Sequence, residues 1–184
     1  ALVIAQEIHE VKKDSQRIYS GLAKITNKRK EQLFYLSELI ELVITANKKY
    51  SELLKKEIHF SFSYTVDYET DQHIPLLALP NNLIANAVEA IDHSGKIQIQ
   101  LYEKSNITYF SVQDSGKGIP KEDRSIVFEP GFTTKFNDEG VAATGIGLSH
   151  VKDIVEMFHG NIQIEAPREG TVFLIGLPTG KIRK

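Results

Sequence analysis

The stretch "DSGKGIPKEDRSIVFEPGFTTKFNDEGVAATGIGLSHV", Asp114–Val151, decides the reading of the whole chain. Glycines stand at 116, 118, 131, 140, 145 and 147, between a run that alternates like a strand and one spaced like a helix. Two common glycine motifs fail here. A P-loop needs a lysine followed by a hydroxyl residue that can reach magnesium, and Gly116-Lys117 is followed by Gly118. A dinucleotide fingerprint begins at Gly145-Ile146-Gly147, but His150 takes the third glycine position and no strand directly precedes it. A plain linker fails as well, because Val127, Phe128 and Phe132 lie in its middle. Loops of this length without secondary structure are usually functional.

Outward from this stretch the periods are clear. "HFSFSYTV" alternates as a strand, and "IPLLALPNNLIANAVEAI" is helical, with Pro80 expected at a break or in the first turn. "KIQIQLYEK" and "ITYFSVQD" alternate and are joined at Ser105-Asn106, a hairpin. A helix over 146–159, ended by Gly160, and the strands "NIQIEAP" and "GTVFLIGLP" complete a β-α-β-β-α-β-β order. That order predicts an α+β fold: one helical layer on a mixed, mostly antiparallel sheet.

Residues 1–56 carry no proline and read as two helices. Ile4, Ile8, Val11, Ser15, Ile18, Leu22 and Ile25 repeat at 4-3 spacing, and so do Leu33, Leu36, Ile40, Val43, Asn47, Tyr50 and Leu54. With a polar turn at 26–30 they predict an antiparallel hairpin. One side of its seam would be left open, so two copies are expected to pair as a four-helix bundle. The domains expected are therefore 1–56 and 57–184.

Composition narrows the class. Of 184 residues 41% are hydrophobic and 25% charged, and the net charge is −2, so nothing global favours nucleic acid or an acidic membrane surface. Cysteine is absent, which excludes disulfides and thiolate chemistry and fits a reducing compartment. No apolar run is long enough to span a bilayer. The chain starts at Ala1 and its single methionine is Met157, so a longer parent protein is expected, with this part cytoplasmic and the whole open to membrane anchoring.

Four segments in fixed order, "NNLIANAVEAI" (81–91), "DSGKGIP" (114–120), "VFEPGFTTK" (127–135) and "TGIGLSHV" (144–151), closely resemble the N, G1, F and G2 boxes of the histidine-kinase ATP-binding domain. That domain, a Bergerat-type α/β sandwich, belongs to the superfamily of gyrase, heat-shock chaperone, histidine kinase and MutL ATPases. The wording "FEPGFTTK" then "GIGL" looks most like citrate- and fumarate-sensing or nitrogen-regulator kinases.

The resemblance implies ATP with magnesium as cofactors, under a lid over about 116–147. Asn82 and Asn86 share a helix face; Asn86 is implied as the magnesium ligand, with Asn82 beside the phosphates. Asp114 is implied to accept a hydrogen bond from the adenine 6-amino group, which a carboxylate can do and which favours ATP over GTP. Gly116 and Gly118 are expected to let the backbone pass close to the base. Gly145 and Gly147, with Thr144 as cap and Leu148 following, are implied to present a helix N-terminus to the phosphates. Lys135 is the candidate γ-phosphate contact, since the F box here lacks the arginine often found in it. Thr171 matches the last pocket position.

Asn82 stands where members that hydrolyse ATP usually carry the glutamate that activates water, which favours transfer over hydrolysis. The implied acceptor is His9 in "EIHEVKKD", with Glu10 as general base and orienting group, as in the H box. Lys13 replaces the usual polar residue that supports phosphatase activity. The expected function is autophosphorylation of His9 in a homodimer, then phosphotransfer to the aspartate of a response regulator receiver domain, docked around Lys12, Gln16, Ser20 and the facing second helix. No nucleic acid or membrane contact is expected of this fragment. Two alternatives share the boxes: an anti-sigma-factor-type protein-serine kinase, and an ATP-gated conformational module of the gyrase or MutL type.

Overall fold

The computed structural model describes residues 33–129 and 146–184, together with Arg17, Ser20, Gly21 and Lys24, which are helical. His9, Glu10, Lys12, Lys13, Gln16, Phe132, Lys135, Thr144 and Gly145 lie outside the described residues, as do the 26–30 turn and most of the first predicted helix.

From Leu33 onward the elements are β1 (Phe34–Tyr35), α1 (Leu36–Leu53), β2 (Glu57–Tyr64), β3 (Glu69–Thr70), α2 (His73–Ala90), β4 (Ser94–Lys104) and β5 (Ile107–Asp114). After a 3₁₀ turn at Lys121–Asp123 come α3 (Ile146–Met157), β6 (Asn161–Glu165), β7 (Thr171–Pro178) and the single turn α4 (Thr179–Ile182). The main sheet has the order β2-β4-β5-β7-β6. Only β2 and β4 run parallel, joined by the crossover that contains α2; the other pairs are antiparallel. The α+β architecture read from the sequence is the one found.

Period-two alternation divides the sheet into two faces. Ile97, Ile99 and Leu101 of β4, Phe110 and Val112 of β5, and Phe173, Ile175 and Leu177 of β7 turn to the helical layer and are buried. Lys96, Gln98 and Gln100 turn to water. The β4–β5 hairpin pairs Lys104 with Ile107, and both turn residues, Ser105 (φ 54°) and Asn106 (φ 62°), have positive φ. This is the backbone of a two-residue primed turn, whose twist matches that of the strands.

α2 is the middle helix of the layer, packed against both α1 and α3. Its N-cap, Gln72, makes no side-chain capping bond. Pro80 lies inside the helix rather than at a break or first turn, and it removes one backbone donor at a cost of about 3 kcal/mol. Leu76, Leu77, Leu79, Leu83, Ile84 and Val88 are buried and contribute about 1.5–3 kcal/mol each. Packing therefore outweighs the local penalty and carries the helix through the proline.

The second helix of the expected hairpin is found elsewhere. Leu36, Ile40, Val43, Asn47 and Tyr50 are buried as the seam predicts, but Leu39, Ile44 and Ala46 are buried too. The apolar stripe is thus broader than a two-helix seam, and it faces α2 and the sheet within one core. Asn47 Nδ2 donates to Asn81 Oδ1 (3.1 Å), and the Tyr50 hydroxyl donates to Glu89 Oε1 (2.7 Å), tying α1 to α2. A boundary at 56/57 would cut through this core; residues 34–56 pack as part of the sandwich.

α3 ends with His159, not Gly160, in the left-handed region (φ 58°), while the Gly160 N–H donates to the Val155 carbonyl (2.8 Å). Gly160 is demanded by packing instead: a Cβ there would lie 2.5 Å from the Gly176 carbonyl oxygen.

Candidate nucleotide site

Asp114 is the last residue of β5, and alternation places it on the same face as Thr108, Phe110 and Val112. It is consequently only 3% exposed. Its carboxylate accepts the Gly116 N–H (2.8 Å) and the backbone N–H of Thr171, its partner across the β5–β7 ladder. Burial dominates these two bonds and raises its pKa to about 6. Thr171 follows the same logic at the start of β7 and is 4% exposed.

The loop after Asp114 is fixed by close backbone packing. Ser115 extends the β4–β5 ladder: its N–H donates to the Lys96 carbonyl (3.1 Å), and its Oγ accepts the Lys96 N–H (2.9 Å). A Cβ on Gly116 would stand 2.4 Å from the Ala90 carbonyl oxygen, and Lys117 N–H donates to that same oxygen (3.3 Å). The end of α2 thus demands glycine at 116. Gly118 has φ +76° and faces the Gly170 carbonyl.

Gly170 was passed over in the sequence, although it directly precedes Thr171. Its φ is +78°, and a Cβ there would fall 1.7 Å from the Asp114 carbonyl oxygen. The available signal was a lone glycine at a strand start, which alternation does not interpret. Ala90 was missed because only its carbonyl takes part, and no residue pattern reports a carbonyl.

Asn82, Asn86 and Ala90 recur every four residues on one face of α2, a line about 12 Å long that ends at Gly116. Asn82 and Asn86 are half-buried. Asn82 Nδ2 donates to the Ala78 carbonyl (2.9 Å), which leaves its Oδ1 turned toward α3. A Cβ added to Gly147 would be 3.4 Å from that Oδ1. The structure therefore brings Asn82 to the start of α3, where Gly147 is exposed and Leu148 half-buried.

The described residues at the start of the expected lid are anchored in the core. Val127 is 1% exposed, and the Phe128 ring meets Phe173 edge-on at 6.1 Å. This agrees with reading those two residues as evidence against a linker.

Chemically, the Asp114 end of this line offers a buried hydrogen-bond acceptor with ordered N–H groups, and the Asn82 end offers side-chain amides beside a helix start. Among the described residues no three His, Cys, Asp or Glu side chains group as a metal site, and no helix is long and apolar enough to cross a membrane.

Comparison with known proteins identifies the family. The chain is 44% identical over 179 residues to the sensor histidine kinase GlnK of Bacillus subtilis; the match covers 96% of this chain and 44% of that protein. It is 38% identical over 104 residues to the sensor histidine kinase ZraS of Escherichia coli, covering 56% of this chain and 21% of that one. The chain thus spans less than half the length of these relatives. Among solved structures, the catalytic domain of histidine kinase ThkA superposes with a TM-score of 0.67 at 30% identity, over 80% of this chain and 96% of that domain. Residues 72–181 match the family described as "Histidine kinase-, DNA gyrase B-, and HSP90-like ATPase". The chain therefore belongs to that ATPase family.

Proposed function

We propose that the chain is the kinase core of a two-component sensor histidine kinase, which moves the γ-phosphoryl of ATP to His9 and then to a response regulator. The observation that carries this reading is the buried Asp114 carboxylate, linked through the Gly116–Ala90 contact to the α2 face that holds Asn82 instead of a glutamate. Asp114 accepts the adenine 6-amino proton, where guanine would place a carbonyl against it. Gly147, with Thr144 and Gly145 before it, presents backbone N–H groups to the phosphates, and Lys135 adds positive charge.

The half-buried Asn86, on the Asn82 face of α2, offers an amide oxygen that would be the protein ligand of a magnesium ion carried by the nucleotide. When bound, the ion offsets negative charge on the phosphates. Asn82 cannot take a proton from water, so no base for hydrolysis stands at that position. In the transfer, an imidazole nitrogen of His9 bonds to the γ-phosphorus and the bond to the β–γ bridging oxygen breaks. ADP leaves, and Glu10 takes the ring proton. The GlnK match covers 96% of the chain and so takes in most of the segment before Leu33 that contains His9 and Glu10.

Because residues 34–53 belong to the sandwich, the regulator-docking face proposed here is limited to Lys12, Gln16 and Ser20 of the first segment, and dimerisation is assigned to residues before Leu33. The cytoplasmic side of a membrane-anchored or soluble parent is the expected location. The test is autophosphorylation with γ-labelled ATP and magnesium, comparing the chain with His9→Gln. Acid-labile label that disappears in the variant supports the proposal. Acid-stable label, or steady release of free phosphate without label, would replace it with a serine kinase or a conformational ATPase.

A further inference from the structure

We propose that residues Thr179–Lys184 form a clamp on the ribbon through which the chain enters the sandwich, and that Thr179, Glu103, Arg183 and Lys184 are positioning residues for phosphoryl transfer. The proposal rests on the kinase reading above.

The entry ribbon is short. Phe34 and Tyr35 pair with Thr70 and Glu69, and Leu36 N–H donates to the Tyr68 carbonyl (2.9 Å). Asp67 caps α1 from outside the helix, accepting from Ser37 N (3.0 Å) and Ser37 Oγ (2.5 Å). A two-residue ladder is too small to hold a fixed direction alone.

The clamp closes over this ribbon. Lys184 N–H donates to the Glu69 carbonyl (2.8 Å), and Lys184 Nζ donates to Asp71 Oδ2 (3.1 Å). The Arg183 guanidinium lies 5.5 Å from the centre of the Tyr68 ring. The Tyr68 hydroxyl donates to Glu103 Oε2, which also accepts from Thr179 Oγ1 (3.0 Å). Thr179 is bonded in turn to Thr108 (2.8 Å), and both threonines are buried. Beneath lies an apolar cavity of about 20 Å³ lined by Leu36, Ile40, Leu76, Leu177 and Ile182, among others. Ile182 anchors the clamp in the core beside this small void, and the polar bonds above it tie the clamp to the ribbon.

The clamp is remote from the base. Thr108 and Asp114 are six residues apart on β5, about 20 Å at ~3.4 Å per residue. Everything before Leu33 is joined to the sandwich through this ribbon, so the clamp holds the point at which the segment carrying His9 enters. Transfer is sensitive to displacements of about 1 Å, which change rates by up to about a hundredfold.

The experiment uses the full 184-residue chain, Thr179→Val, Thr179→Ser and a form ending at Ile182. Hydrogen exchange is followed at 34–37 and 67–71 against 112–118, alongside the initial rate of acid-labile phosphorylation and KM for ATP. Expected in Thr179→Val and the shortened form are at least tenfold faster exchange at the ribbon only and a rate at saturating ATP lowered tenfold or more. KM should stay within twofold, and Thr179→Ser should restore both. Unchanged ribbon exchange, faster exchange with an unchanged rate, or a rate loss matched by a KM rise would overturn the clamp. An unmodified chain that forms no phosphohistidine refutes the kinase reading instead, and ribbon exchange then decides the clamp alone.

Discussion

Asp114 and Thr171 stand opposite each other across the β5–β7 ladder, and the Thr171 N–H donates to the Asp114 carboxylate. The pair orders a buried acceptor with backbone groups alone, so its geometry depends on the ladder and not on neighbouring side chains. Two predictions follow from the charge and two from the backbone.

Asp114→Asn should weaken ATP binding by about 10- to 150-fold. This is the range for losing a hydrogen bond to a charged group, about 1.5–3 kcal/mol. Isothermal titration with a non-hydrolysable ATP analogue measures it. Affinity within twofold of the parent chain would remove Asp114 from the base site.

The same carboxyl makes stability depend on pH. Its native pKa is raised to about 6 from 3.8, so between about pH 4 and 6 the native state holds more protons than the unfolded one. Stability must therefore fall as pH rises through that window and level off above it, by an amount on the order of 3 kcal/mol. Asp114→Asn lacks this loss. Urea unfolding of both forms at pH 4.5 and pH 7 should show the variant gaining on its parent at the higher pH. An equal difference at both pH values would contradict the burial argument.

Gly170→Ala should destabilise by at least 2 kcal/mol and abolish detectable ATP binding, because a Cβ at φ +78° would strike the Asp114 carbonyl. Gly180→Ala is the control. It lies in α4, nothing is within 4 Å of its added Cβ, and a gain of about 0.4–1 kcal/mol is expected. Thermal unfolding of the two variants side by side reads both. Equal effects would mean that the close approach at 170 relaxes easily.

Replacing Ser105-Asn106 with Asn-Gly should stabilise the fold by about 0.5–1 kcal/mol, since both turn positions have positive φ. Denaturant midpoints are the measure, and nucleotide affinity should not change, the turn being at the far end of β5 from Asp114. A lower midpoint would show that the Asn106 side chain contributes more than its backbone strain costs.

How far the sequence could be read depends on what each signal encodes. Strands β4 and β5 were legible because alternation is a direct image of a half-covered sheet, and Asp114 inherited its burial from that alternation. The spacing of Leu36, Ile40, Val43, Asn47 and Tyr50 was also legible as a helix, but not its partner. A 4-3 repeat marks one buried face, and only the burial of Leu39, Ile44 and Ala46 beside it reveals a broad contact with a layer. Strands β1 and β3, two residues each, are too short to carry a period. Gly170 was opaque for a different reason: its constraint comes from a carbonyl 56 positions earlier in the chain. Pro80 was misjudged because local propensity cannot weigh the six buried side chains that flank it on the same helix.

The single parallel pairing, β2 with β4, has a consequence for how the domain comes together. Residues 94–178 hold the antiparallel strands β4, β5, β7 and β6, whose contacts do not require what precedes them. β2 joins β4 across the crossover that contains α2, with Glu57 and Ser94 37 positions apart, a shorter closure than the 57 positions between Asp114 and Thr171. Asn82 and Asn86 arrive with that crossover, whereas Asp114 and Thr171 belong to the antiparallel half. A nucleotide that bridges both sets would be a rivet between the crossover and the antiparallel half, and saturating ATP should then slow the domain's unfolding by holding that seam shut.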